Sequence, residues 1–191
     1  DAVSQSLAGR VALLTLLPLS YEELSQAGIA PQSMEQWLFQ GGYPRLYDAD
    51  IDPETFFLSY VQTYLERDVR QELGVRRPRK FSTFIQLCAL RTGQRLNVSS
   101  LASDSGVALN TAKSWLSVLE ASHIICFLEP YFSNRGKSLV KTKKLHFLDA
   151  GLACSLIGIQ SPQELLVSEH RGPIFESAII SEVLKSGYAK A

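Results

Sequence analysis

Asn110, Thr111, Lys113, Ser114 and Ser117 interleave with Ala112, Trp115, Leu116 and Leu119, so a helix through this segment has two unlike faces. The apolar set falls at i, i+3, i+4 and i+7, the spacing of one buried stripe. The polar set then faces outward, and short hydrogen-bonding side chains on an exposed helix are what phosphate and base-edge contacts require. Further on, Arg135, Lys137, Lys141, Lys143 and Lys144 place five positive charges within ten residues, with no acid among them. A run of this kind neutralises backbone phosphates. The chemistry implied by both groups is contact with DNA rather than bond-breaking, and no catalytic set is assigned to this chain.

Local signals predict the elements that would position these residues. Asn97 caps a first short helix with Leu101 and Ala102 turned inward, Gly106 supplies a left-handed turn residue, and Asn110 caps a second helix. Two β-prone runs, 124–128 and 145–148, flank a turn-forming tip at 133–137, which makes the basic run the arm of a hairpin. A helix pair followed by a basic hairpin is the order of a winged helix-turn-helix, predicted over residues 95–158. Trp115 is assigned to the core rather than to base stacking. A helix-turn-helix also serves as a protein-interaction module, so a protein partner or a homo-oligomer is the alternative to DNA.

The flanks read mainly as helix. The apolar run 11–17 is short and ends at Pro18, which suits a buried strand. Ser20 and Glu23 carry a capping-box pattern, Gly41-Gly42-Tyr43-Pro44 breaks the chain, and Pro53 opens a helix whose stripe, Phe57, Val61, Tyr64 or Leu65, and Val69, extends the prediction over 55–73. Residues 74–80 read as a linker and 81–90 as a further helix. From residue 172 to Lys185 another helix is predicted, with Ile179, Ile180, Val183 and Leu184 as its apolar side. The fold class is mainly α (α+β): a helical lid, then a winged helix-turn-helix with a β-hairpin wing, with incomplete elements at both ends.

Nineteen basic and nineteen acidic side chains cancel, so any electrostatic footprint is local rather than global. Three separated cysteines without a CxxC or a Cys/His pair at ligand spacing argue against a disulfide scaffold or a zinc site. The expected setting is the reducing cytoplasm. The longest apolar run is far below the ~20 residues that span a bilayer, so no membrane partner is expected.

An ordered series of motifs carries a family resemblance. Ser6-Leu7-Ala8-Gly9-Arg10 with Pro18-Leu19-Ser20, then Gly41-Gly42-Tyr43-Pro44 and Tyr64-Leu65-Glu66-Arg67-Asp68-Val69, resemble the end of an AAA-type ATPase module and the helical region after it. Ser99-Ser100-Leu101-Ala102, Asn110-Thr111-Ala112-Lys113, Leu139-Val140-Lys141, Leu148-Asp149-Ala150-Gly151-Leu152 and Phe175-Glu176 continue the series. Together they resemble the bacterial and archaeal ATP-binding proteins with a C-terminal domain of unknown function. The resemblance implies an ATPase core, a helical lid with a winged helix, and a restriction-endonuclease-like domain.

The corresponding division of this chain is a core remnant at 1–20, a lid at 21–94, the winged helix at 95–158 and the start of the endonuclease-like domain at 159–191. In this scheme Arg10 helps sense nucleotide and Glu176 approaches a metal site, both only in the full-length protein. The chain carries no GxxxxGK[ST], so it is expected to be a non-catalytic fragment without cofactor, ATP and Mg belonging to the full-length protein. Two departures stand out. Ala150 replaces the Thr usual in the motif and removes a capping hydroxyl, and Ala108 sits where a polar cap is expected.

Overall fold

The computed structural model describes residues 15–49, 51–63, 78–131 and 142–187. Ten helices and one two-stranded antiparallel sheet make up these residues, so the mainly α, α+β class holds. The order is α1 (Tyr21–Gln26), α2 (Met34–Gln40), α3 (Arg45–Asp48), α4 (Pro53–Tyr60), α5 (Pro78–Leu90), α6 (Val98–Asp104) and α7 (Leu109–Ala121), followed by β1 (Ile125–Leu128) and β2 (Lys144–Phe147). Helices α8 (Ala150–Ile157), α9 (Pro162–Val167) and α10 (Arg171–Lys185) close it.

Helix starts follow from side-chain chemistry. Ser20 and Ser33 each form a reciprocal capping box, with Glu23 and Gln36 respectively, and Asp52 caps α4 with Pro53 in the first turn. Asn97 Oδ1 accepts the Ser100 N–H at 3.0 Å and caps α6 as the sequence indicates. Asn97→Ala is expected to cost about 1 kcal/mol, read as a lowered urea midpoint at unchanged slope.

Several expectations need correction. Residues 15–17 have no regular structure and Leu16 is exposed, so they do not belong to a buried strand; residues 11–14 lie outside the described residues. A buried strand needs hydrogen-bonding neighbours, and β1 and β2 pair with each other. The helix from Pro53 passes into a wider π turn at 61–63, while its expected continuation through Tyr64, Leu65 and Val69 falls outside the described residues. Helix α5 starts at Pro78, which draws Arg79 and Lys80 out of the expected linker; proline's fixed φ suits a first turn.

In α10 the buried side is Ile174, Ser177, Ala178 and Ser181; of the expected apolar side, Ile180 and Leu184 are half-buried and Ile179 and Val183 exposed. Hydroxyls that are hydrogen-bonded inside allow this polar face to be the buried one. Ser177 and Ser181 find acceptors in Pro173 O and Leu148 O.

Two apolar clusters fill the interior. One joins Phe57, Phe81, Phe84, Leu101, Trp115, Leu119 and Phe147; the other joins Leu38, Cys154, Leu165, Ile174 and Ala178. Helix α8 contributes to both, with Leu152 and Leu156 in the first and Ala150 and Cys154 in the second. It can approach closely because Gly151 lies against the Phe57 ring and Phe39 O, where a Cβ would come within 2.7–2.8 Å.

Candidate nucleic-acid interface

Helices α6 and α7 pack together across a turn whose geometry the sequence specifies. Gly106 takes φ +65°, Val107 N–H returns to Ala102 O at 3.0 Å, and the Lys80 ammonium caps Gly106 O. The cap of α7 is Ala108, in extended conformation and without a side-chain bond, so Asn110 sits inside the first turn rather than capping it. That correction leaves the Asn110 side chain exposed on the helix.

The two faces of α7 separate as expected. Ala112, Trp115, Leu116 and Leu119 are buried, and Trp115 meets Phe81 and Phe84 edge-on at centroid distances of 5.2 and 5.1 Å. Asn110, Lys113, Ser114 and Ser117 are exposed, and Thr111 is half-buried. The Ser117 hydroxyl donates back to Lys113 O at 3.1 Å, which leaves its oxygen to accept from a ligand.

Beside α7, β1 and β2 run antiparallel with Ile125 opposite Phe147 and Leu128 opposite Lys144. Between helix and strands lies an open groove of about 500 Å³, with Leu96, Leu116 and Phe127 as its floor and Lys113, Ser117 and Lys143 on its rim.

The basic run behaves differently from its reading in sequence. Lys143 lies 3.1 Å from Glu129 and over the Phe127 ring, and Lys144 lies 2.6 Å from Glu176. An acid-free stretch of sequence is therefore not an acid-free surface: the end of β1 and helix α10 bring counter-charges to it. Arg135, Lys137 and Lys141 lie outside the described residues, as does Arg10.

Two buried polar sites escape local pattern reading. In the first, His146 Nδ1 lies 3.1 Å from Ser177 Oγ, which lies 2.8 Å from Thr92 Oγ1, and Phe147 N–H donates to Thr92. Glu176 stands 4.0 Å from His146 Nε2. Serine, histidine and carboxylate in this order resemble a hydrolytic triad. Ser177 and His146 are 1% and 0% exposed, so no substrate reaches the hydroxyl. The cluster instead ties the turn after α5, β2 and α10 together.

In the second site Asp149 accepts N–H bonds from Gly42 at 2.7 Å and Leu152 at 2.8 Å, capping α8 itself. The hydroxyl missing at Ala150 is thus not needed for that cap. This bond joins the Gly41-Gly42 break to the Asp149-Ala150-Gly151 motif, two of the motifs most distinctive in the sequence.

Thiol chemistry has little support: burial pushes all three cysteine thiols up, Cys126 to about 11. Among the described residues no cluster of three or more His, Cys, Asp or Glu could hold a metal ion. Nor is any described helix long and apolar enough to cross a membrane.

Residues 31–163, more than half of the chain and including both the helix pair and the Gly42–Asp149 contact, match the family described as Domain of unknown function (DUF8612). The chain belongs to that family. As a DUF8612 member it is similar to an uncharacterized protein of Mycobacterium tuberculosis and one of Mycobacterium bovis, 31% identical to each over 186 residues. These cover 94% of this chain but 40% of each relative, so the chain spans less than half the length of the curated relatives it matches. No solved structure matches the chain.

Proposed function

We propose that α6, α7 and the β1–β2 pair form a winged helix that lays α7 against duplex DNA. One observation carries the reading: Asn110, Lys113, Ser114 and Ser117 are all exposed on the first turns of α7, while Trp115 and its neighbours fix the opposite face in the core. A helix held rigidly on one side and furnished with short donors, acceptors and a cation on the other is equipped for groove contact. Lys143, on the far rim of the groove, supplies a second cation to the phosphates once Glu129 is outcompeted, and Arg135, Lys137 and Lys141 extend the same basic run in sequence. The role of this chain in that reading is binding.

The test is duplex affinity measured against salt. Wild type is expected to bind at low salt with a log–log slope set by the number of phosphates it neutralises. Lys113→Gln with Lys143→Gln should reduce that slope by about 0.9 for each phosphate left without its lysine. Circular dichroism of the variant confirms that the fold is retained. An absence of binding by wild type at low salt overturns the reading.

In the longer protein we propose that this module serves an ATPase, with the phosphate-binding loop, ATP and Mg supplied outside the present chain. Arg10 would act there as a nucleotide sensor, and Glu176 as a contributor to an endonuclease-like metal site. The ordered motif series supports that assignment, and a Walker lysine encoded upstream is its decisive check.

A second reading, a protein-interaction module, is favoured by a specific surface. Phe175, Ile179 and Val183, spaced four apart on α10, are all exposed and form an apolar stripe. Light scattering over a range of concentrations tests self-association through it. A monomer at every concentration removes the homo-oligomer form of this reading.

A further inference from the structure

Helix α8 carries little bulk on the side that meets α4. Gly151, Ser155 and Gly158 fall at i, i+4 and i+7, so they share that side. Gly151 brings the helices together, since an added Cβ would meet the Phe57 ring at 2.7 Å. Gly158 does the opposite. It ends α8 at φ +90°, and a Cβ built on it meets nothing within 4 Å. The chain is thus in close contact at Gly151 and leaves open space at Gly158.

That space belongs to a cavity of about 150 Å³. Phe57 and Ile159, both buried, give it an apolar lining, and Leu58 stands exposed at its edge. Pockets for drug-sized molecules begin at ~300 Å³, whereas an apolar cavity of ~150 Å³ accepts a benzene-sized ring. Size therefore selects one small ring, and the Phe57 side chain offers it edge or offset contact.

Polar groups select the substituent on that ring. Glu54, Ser155 and Gln160 line the same cavity, and their side chains make no hydrogen bond or ion pair among the described residues. Glu54 is the one charged residue in the described lining. Two helix C-termini add to its sign: Phe39 lies in the last turn of α2 and Ser155 in that of α8, where the carbonyls carry partial negative charge. The positive end of α4 is answered by Asp52, which accepts the Thr55 N–H at 3.0 Å. The field at the cavity therefore favours a cation.

We propose that the cavity between α4 and α8 binds a small aromatic amine, with its ring against Phe57 and Ile159 and its ammonium toward Glu54. An ammonium has three donors and no acceptor, which suits a carboxylate, the Ser155 hydroxyl oxygen and the Gln160 amide oxygen. A neutral head forgoes the attraction of Glu54, and an anionic head is repelled by it. None of the lining residues belongs to α6, α7, β1 or β2, so the site is independent of the DNA reading.

The experiment titrates the whole chain with three probes that share a phenyl ring and differ in the head: phenethylamine, phenethyl alcohol and phenylacetate. Backbone amide NMR locates each one. The amine is expected to saturate, with its largest shifts at Gly151, Ser155 and Gly158. The alcohol should bind more weakly at the same amides, and phenylacetate should not bind. Glu54→Gln, at an exposed position, should weaken the amine about twofold to fivefold, the range of a solvent-exposed ion pair, and leave the alcohol unchanged. Ser155→Leu fills the cavity and should abolish binding of both. Should that variant not fold, the ratio of amine to alcohol affinity in Glu54→Gln decides alone. An amine that does not saturate, amine shifts centred away from α4 and α8, phenylacetate binding as well as the amine, or an unchanged ratio in Glu54→Gln overturns the proposal.

Discussion

Replacing Asp149 with alanine is expected to lower the free energy of unfolding by roughly 2–6 kcal/mol, at about 1–3 for each of two buried N–H donors left without an acceptor. Urea denaturation followed by tryptophan fluorescence measures it. The two donors are those of Gly42 and Leu152, one in the break after α2 and one in the first turn of α8. The substitution therefore unpins two helices that meet nowhere near each other in sequence.

Asp149→Asn keeps one acceptor oxygen and should cost less than Asp149→Ala. The carboxylate also explains Gly41, which adopts φ +71° and whose added Cβ would stand 2.4 Å from Asp149 Oδ1. Gly41→Ala should thus cost less in the Asp149→Ala background than in wild type, a coupling that a double-mutant cycle reads directly. Burial raises the Asp149 carboxyl above its usual range against the pull of its backbone donors. With the folded value raised, its contribution is full below about pH 3.9 and falls as pH rises through the folded value, a dependence that Asp149→Asn removes.

The second large effect is expected at Trp115. Trp115→Ala should cost about 3–5 kcal/mol through reduced burial and the cavity left between α5 and α7. Its ring is held edge-on by Phe81 and Phe84, so Trp115→Phe should recover a substantial part of that cost. If α7 is the duplex-binding helix, Trp115→Ala should weaken DNA binding although the indole makes no contact with solvent on that face. Thermal denaturation and duplex titration of the same samples separate the two: a variant that is destabilised yet fully folded at the assay temperature and binds as wild type would show that α7 does not need this anchor.

Local information is enough for the helix pair. The apolar repeat from Ala112 to Leu119, the Asn97 cap and the left-handed Gly106 each lie within a few residues of the element they determine. The sequence places the cap of α7 two residues late because Asn110 is a good capping residue near a start that Ala108 occupies. Charge is harder. Lys143 and Lys144 look unopposed until the fold brings Glu129 and Glu176 to them.

Helix α10 misleads for a related reason. Its bulkier residues, Ile179 and Val183, suggest the buried side, but Ser177 and Ser181 are buried because acceptors await them in the fold. The Asp149 clasp joins residues 107 positions apart, a separation that periodicity cannot address. For the candidate site, then, the exposed face of α7 is legible in the sequence and the electrostatic state of the lysines at β2 is not.

The junction around Gly42 has a mechanical meaning. Leu19 N–H donates to Gly42 O at 2.7 Å, Lys185 donates to Leu19 O at 3.1 Å, and Tyr21 N–H donates to Glu182 at 2.8 Å. The chain near residue 19 and the chain near residue 185 thus lie side by side. Tension applied at those two places does not shear the helices past one another. It loads the Lys185 and Glu182 bonds, which join the two stretches directly. The clasp is thus the first thing loaded, and once it opens the tension passes into the helices that lie between the two points.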